Sequence, residues 1–422
     1  MSVFTRSRKA GVFAGLALVG ASALVLAGCA GGGSGTSTSA PPKQERDLTL
    51  KIGTVLPQTG SLAFLGPPEE AGTVLGVDEV NKAAKGITVE LTRGDSGDTD
   101  NKAFETTVPK LQSAGVSAMI GAAASGVTKL FLDSNVAAGI ITFSPANTSP
   151  DFTTWDDNGL YWRTAPSDLL QGEVLGNLLA EDGHENIGII YQNDAYGTGL
   201  YGVVKEVFEA SGGKVVAQQS FDANLKAGFD DYVSTIAAAK PDAVVFITFD
   251  QFASIAPLAV NAGLDAKSFY LVDGNLKQWG DKVSVSLEGA KGTTPGPVLE
   301  DDFKERLNAA WATAGGKELE DFSYAAESYD AVILLALASL AANSTEGTEI
   351  AGKLQEVSGG SGDGKKCTSF AECADIILSG GVADYEGYSG GVKFDEAGDP
   401  TEASIGIFQF GADNMHERID TK

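Results

Sequence analysis

Ser125 and Thr148 are the side chains whose type and setting could do chemistry. An apolar run over residues 116–120 ends at Gly121, and small residues carry the chain into Ser125. Val127, Leu130, Phe131 and Ser134 then recur at helical spacing. A second apolar run, residues 140–143, breaks at Ser144-Pro145 into the loop Ala146-Asn147-Thr148-Ser149. This reads as a βαβ unit with polar loops at the carboxyl ends of both strands, where open α/β sheets hold ligands. Ser125 would open the helix, so its hydroxyl and the free N–H groups beside it face an anion. The carbonyl of Ala146 and the hydroxyl of Thr148 offer oxygens nearby. A receiver for a carboxylate beside a receiver for an ammonium suits a small zwitterion. The same residues also make an ordinary helix cap and turn.

Other chemistry is thinly supported. Gly197-Thr198-Gly199-Leu200-Tyr201-Gly202 matches the dinucleotide fingerprint, with Asp222 further on. Residues 192–196 separate it from the preceding strand, where that fingerprint needs its first glycine in the turn itself. A glycine-eased helix start fits better. Neither a GxxxxGK[ST] loop nor a GxSxG elbow occurs, and the two histidines, His184 and His416, are far apart. The acidic stretch Asp95-Ser96-Gly97-Asp98-Thr99-Asp100 lacks the glycine and distal glutamate of a calcium loop, so no metal is expected. These readings favour a protein that is not an enzyme and uses no cofactor.

The elements that would position Ser125 and Thr148 alternate along the chain. Strands are expected over residues 48–56, 87–91, 187–191, 214–221, 243–249 and 268–272. Helices are expected over 68–84, around Phe104 to Leu111, around Leu170 to Leu178, and over 198–211, 229–239 and 252–262. Such alternation makes parallel sheets covered by helices on both faces. The pattern restarts near Pro166, which suggests a second doubly wound lobe. Two helices follow near residues 303–312 and 324–342, the second carrying a twelve-residue apolar run taken as buried core. Residues 389–394 and 405–410 read as two strands joined by a turn over 395–400.

The chain of 422 residues carries a net charge of −26, which argues against nucleic acid or anionic lipid as a partner. A hydrophobic content of 43% suffices for a large core. Arg6, Arg8 and Lys9 precede an apolar stretch ending in Leu26-Ala27-Gly28-Cys29, the pattern of an export signal over residues 1–28. The ending looks like a lipobox, with Cys29 lipidated; a plain transmembrane anchor is the alternative. Residues 29–47 are rich in Gly, Ser, Thr and Pro and read as a tether, about fifteen of them spanning roughly 20 Å as a coil. Without residues 1–28 there remain 27 basic and 56 acidic residues, a net charge of −29. Beyond Cys29 only Cys367 and Cys373 occur, and in an exported chain a disulfide is favoured over a metal pair.

Several motifs together resemble a known family. They are Ile52-Gly53 through Thr59-Gly60, Ile120-Gly121 through Ser125, and Ile141-Thr142 through Pro145-Ala146-Asn147-Thr148. Asp194-Ala195-Tyr196-Gly197-Thr198-Gly199, Ser328-Tyr329-Asp330-Ala331 and Val392-Lys393-Phe394-Asp395 through Gly398-Asp399 follow in order. Over residues 48–410 the chain resembles the lipid-anchored substrate-binding proteins of ABC importers, in the branched-chain amino-acid family. The resemblance implies the type I periplasmic binding protein fold, two Rossmann-like lobes joined by a three-strand hinge. Lobe 1 would comprise residues 48–166 and 293–384, and lobe 2 residues 167–292 and 385–422.

It further implies an amino acid gripped in the cleft and delivered to a permease at the outer face of the cell membrane, by a receptor acting as a monomer. Ser125 would hold the α-carboxylate, the Ala146 carbonyl and Thr148 the main-chain polar groups, and Asp273 the ammonium. Phe64 or Leu65, Tyr196, Phe249 and Tyr324 would shape the side-chain pocket. Asp273 stands for a glutamate of the family, and Phe249 lacks a hydroxyl often found there. Relatives of this fold bind amides, urea-like solutes and aromatic acids, and a sensory ligand-binding subunit is a further alternative. An exported NAD-dependent oxidoreductase using residues 197–202 is the remaining one.

Overall fold

The computed structural model describes residues 45–422, so the export signal, Cys29 and most of the expected tether lie outside the described residues. The first sheet is all parallel, in the order β2-β1-β3-β4-β5. Its strands are β1 (Leu48–Val55), β2 (Ile87–Thr92), β3 (Ala118–Gly121), β4 (Ile141–Ser144) and β5 (Tyr161–Arg163). In β1, Thr49 and Lys51 face solvent and Leu50 and Ile52 face the core, whereas Gly53 to Val55 are buried throughout as the strand nears the carboxyl edge. Helices α1 (Gly66–Ala83), α2 (Phe104–Ala114) and α3 (Ser125–Ala137) connect these strands. In α3 the core face is Val127, Phe131 and Leu132, while Leu130 is exposed, contrary to the spacing argument.

The second sheet has seven strands in the order β14-β13-β10-β9-β8-β6-β7. The pattern after Arg163 runs α4 (Asp168–Glu181), β6 (Asn186–Gln192), α5 (Ala195–Ala210), β7 (Lys214–Phe221), α6 (Asp230–Ala238), β8 (Ala243–Ile247), α7 (Phe252–Asn261) and β9 (Phe269–Val272). A further strand, β10 (Lys291–Pro295), pairs parallel with β9. Its sequence Lys-Gly-Thr-Thr-Pro has no apolar alternation, and only the neighbours on both sides make it a strand.

The chain then returns to the first sheet through α8 (Asp301–Thr313) and α9 (Ala325–Ala342). Helix α9 is long and apolar enough to cross a membrane by composition, yet nearly all of it is buried. It packs on α1, where Gly72 lets the helices meet: a Cβ there would stand 2.0 Å from the Ala325 carbonyl oxygen. Helix α10 (Gly347–Val357), β11 (Lys365–Cys367), α11 (Phe370–Leu378) and β12 (Ala383–Tyr385) complete this layer.

The C-terminal expectation needs correction. Residues 389–394 form no strand; Phe394 makes only an isolated bridge to Pro400. Strand β13 (Ile405–Phe410) instead lies antiparallel between β10 and β14 (His416–Thr421). The apolar residues of 389–394 serve a different purpose, since Phe394 packs edge-on against Phe143 and Trp162.

The polypeptide crosses between the sheets three times: after Arg163, after Pro295 and before Ile405. These crossings are laced together. Arg163 N donates to Gly398 O at 3.1 Å, and Gly296 N donates to Ser404 O at 3.0 Å. Arg418 Nη2 donates to the carbonyls of Gly296 and Pro297.

Cys367 and Cys373 have Cα atoms 5.4 Å apart with their sulfurs at bonding distance. A loop this short stabilises by about 2 kcal/mol through chain entropy. Reduction is therefore expected to lower the unfolding midpoint modestly and leave solute affinity nearly unchanged. Labelling of both thiols in the unreduced, folded protein would show that no bridge exists.

Candidate functional site

The loops at the carboxyl ends of β1, β3 and β4 face those of β6, β8 and β9, and a tightly closed cavity of about 10 Å³, the room of one water, lies between them. Ser125, Ala146, Tyr196, Phe249, Asp273 and Tyr324 all line it. Six residues scattered over two hundred positions thus meet in one place.

Ser125 is the first residue of α3 and its hydroxyl accepts from Ser149 N at 3.4 Å. The first N–H groups of a helix have no carbonyl one turn earlier, so they point at whatever anion enters. The following loop is fixed by Ser144 Oγ, which donates to Ala122 O at 2.7 Å and accepts from Asn147 N at 2.9 Å. Thr148 is buried behind the cavity wall rather than lining it, and its Oγ1 has no partner of good hydrogen-bond geometry among the described residues.

Across the cleft, Asp273 ends β9. Tyr196 Oη donates to one of its oxygens at 2.6 Å and Tyr324 Oη to the other at 2.8 Å. Burial pushes the carboxyl of Asp273 up, against the relief of both tyrosine hydroxyls. Tyr196 stacks on Phe249 at 5.4 Å. Tyr324 stands at the start of α9 with φ 60° and ψ 11°, a left-handed conformation that is uncommon outside glycine. Such conformations cost about 1–3 kcal/mol and cluster where structure serves function.

Phe64 does not reach the cavity. It faces Lys277, whose ammonium lies 5.0 Å from the ring, while Leu62 and Leu65 fill the wall instead. Of the two expected positions, Leu65, the residue before α1, is the one that faces inward.

Two residues that carry no motif matter as much. Asp168 opens α4 and is buried; among the described residues neither carboxyl oxygen has a partner of good hydrogen-bond geometry, and the hydroxyl of Thr148 is the donor nearest to it. Burial raises its carboxyl first, the charge of Asp273 second, and Thr148 and Arg163 offset this only in part. Arg163 is fully buried and donates to Asp399 through Nε at 2.5 Å and Nη2 at 2.7 Å. Its other donors go to the carbonyls of Asn147 and Ser149 and the hydroxyl of Thr153. Arg163 therefore holds the loop that bears Thr148. The signal in the sequence was only an arginine in an apolar strand end.

An outer chamber of about 440 Å³ continues past Ala124 and Phe249 toward solvent. The acidic stretch borders it, but Asp95 and Asp98 are used by backbone: Asp95 accepts from the N–H groups of Gln58, Thr59 and Gly97, and Asp98 from those of Ser61, Asp100 and Asn101. At its rim Thr99 donates to Asn224 at 2.7 Å and Lys226 pairs with Asp100, bridging the two sides. The Gly197 N–H is taken by Asp194 at 2.8 Å, so a carboxylate already stands where a pyrophosphate would need that helix start.

A family model for periplasmic binding proteins matches residues 49–371. The leucine-, isoleucine-, valine-, threonine- and alanine-binding protein of Pseudomonas aeruginosa is 29% identical over 226 residues, covering 52% of this chain and 59% of that relative's length. Among solved structures, a leucine-binding protein from Thermotoga maritima superposes with TM-score 0.70 at 20% identity, over 88% of this chain and 98% of its own. A solute-binding protein of an ABC transporter from R. palustris, in complex with benzoate, does so with TM-score 0.67 at 19% identity, over 88% and 96%. The chain belongs to the periplasmic binding protein family, with the two-lobed α/β fold of its branched-chain amino-acid branch.

Proposed function

We propose that this protein is the extracytoplasmic solute receptor of an ABC importer, taking an amino acid or similar amine and delivering it to the permease. The observation that carries the reading is the convergence of Ser125, Tyr196, Tyr324 and Asp273 on one closed cleft, which must open to admit a solute. A helix start with Ser125 faces a buried carboxyl, Asp273, across a mostly apolar space. A zwitterion places its carboxylate at the first and its ammonium at the second, and each buried polar group gains a partner. Contacts on both sides arise only when the two lobes close on the solute, which is the condition for ligand-driven closure. In this reading the expected bounds of lobe 1 (48–166 and 293–384) and lobe 2 (167–292 and 385–422) shift, because β10 pairs in the second sheet and Phe394 packs on Phe143 and Trp162 of the first. Lobe 1 is then residues 48–166 and 296–404, and lobe 2 residues 167–295 and 405–422. Cys29 carries the lipid that holds a monomeric receptor at the outer face of the membrane, and Cys367 and Cys373 form a disulfide.

A second reading, an aromatic acid, draws on the benzoate-bound neighbour and on the Tyr196–Phe249 stack at the cavity wall. One experiment separates the two. Thermal unfolding is followed with each common amino acid, with small neutral amides and with benzoate, because a solute bound to the folded state raises the midpoint by mass action. A shift of several degrees with amino acids is expected. A shift with benzoate alone would replace the amine reading, and no shift with any of them would remove it.

A further inference from the structure

We propose that Asp168 and Asp273 share one proton, and that an ammonium-bearing solute displaces it, so that binding releases a proton to solvent. The proposal rests on the amine reading above and adds a stoichiometry to it. Its basis is a count of donors. A guanidinium has five N–H groups. Those of Arg163 go to both oxygens of Asp399, to the carbonyls of Asn147 and Ser149, and to Thr153 Oγ1. No N–H of Arg163 remains for Asp168, and its charge is matched by Asp399. Asp168 N donates to Thr148 O at 2.7 Å, and Gln171, one turn further along α4, donates to Thr293 O at 3.0 Å beside Val272, so Asp168 and Asp273 lie in one buried region to which Arg163 gives no N–H. The donors around Asp273 are the neutral hydroxyls of Tyr196 and Tyr324 and the neutral amide of Gln171, and the donor beside Asp168 is the neutral hydroxyl of Thr148.

The remaining charged neighbours work in the same direction. Asp194, at the start of α5, adds to the negative field on Asp168 and is itself pushed up to about 6 by burial. Glu327, in the first turn of α9 beyond Tyr324, is pushed up to about 8 by burial. Two carboxylates so placed cannot both ionise at little cost, and one keeps its proton, as in other buried acid pairs. An ammonium entering beside Asp273 supplies the missing positive charge. The carboxyl O–H bond breaks, both carboxyls become carboxylates, and the proton passes to water; the ammonium keeps its own three. A neutral solute offers no such exchange.

Titration calorimetry with L-leucine and L-alanine, in buffers of differing ionisation enthalpy, counts the protons. Release of up to one proton per solute is expected near neutral pH, with affinity rising up to about tenfold per pH unit below the pair's titration. Asp168→Asn removes one carboxyl, so binding that persists in it should release no proton and lose the pH dependence. Amino-acid binding without proton exchange from about pH 5 to 9 in the unaltered protein would overturn the proposal and leave the amine reading intact. Binding of benzoate or a neutral amide but of neither amino acid would overturn both.

Discussion

Asp273→Asn is expected to weaken amino-acid binding about ten- to a hundredfold while changing the affinity for a neutral amide little. The substitution keeps the shape of the side chain and its place between Tyr196 and Tyr324, and removes the charge. A hydrogen bond to a charged group is worth about 1.5–3 kcal/mol, and each 1.4 kcal/mol is tenfold in affinity. Moving a two-state receptor from mostly open to mostly closed takes about 5 kcal/mol of differential affinity, so this one contact would supply a large share. Calorimetry on both proteins reads the affinity, and small-angle scattering reads the accompanying compaction. Equal amino-acid affinity in the two would mean that Asp273 does not pair with the amine. Absence of compaction in the unaltered protein would remove the clamp.

Arg163→Met should cost stability on the scale of about 3–5 kcal/mol, the usual price of leaving one partner of a buried ion pair alone. It strands the carboxylate of Asp399 together with the carbonyls of Asn147 and Ser149. Urea unfolding of Arg163→Met, of Asp399→Leu and of the double variant tests this. The double variant is expected to be less destabilised than the two single effects added, because replacing both partners removes the stranded charge. An unfolding midpoint unmoved by Arg163→Met would show that the pair stabilises nothing.

The alternation of strands and helices through residue 272 was legible because each element carries its own period, and the restart after Pro166 marked the second sheet. That Ser125 and Ala146 meet at one edge was legible for a related reason, since a βαβ unit places its loops there; that Thr148 turns away from the cavity was not. Asp168 was not, since an aspartate opening a helix is ordinary, and only the arrival of Asp273 from a distant strand makes it unusual. Arg163 and Asp399 are separated by 236 positions, and no local pattern announces their meeting. The strand β14, His-Glu-Arg-Ile-Asp-Thr, is mostly exposed at the sheet edge, so it lacks the buried alternation that would reveal it.

The lacing of the three inter-lobe crossings limits how the lobes can move. Three separate attachments could bend independently and let one lobe tilt, slide or twist over the other. Here the first is fastened to the third at Arg163 and Gly398, and the second to the third at Gly296 and Ser404. Fastened strips flex together, about the line that runs across them. The freedom left is close to a single angle, so distances measured between any two label pairs spanning the cleft should change in proportion during closure, with one relaxation time.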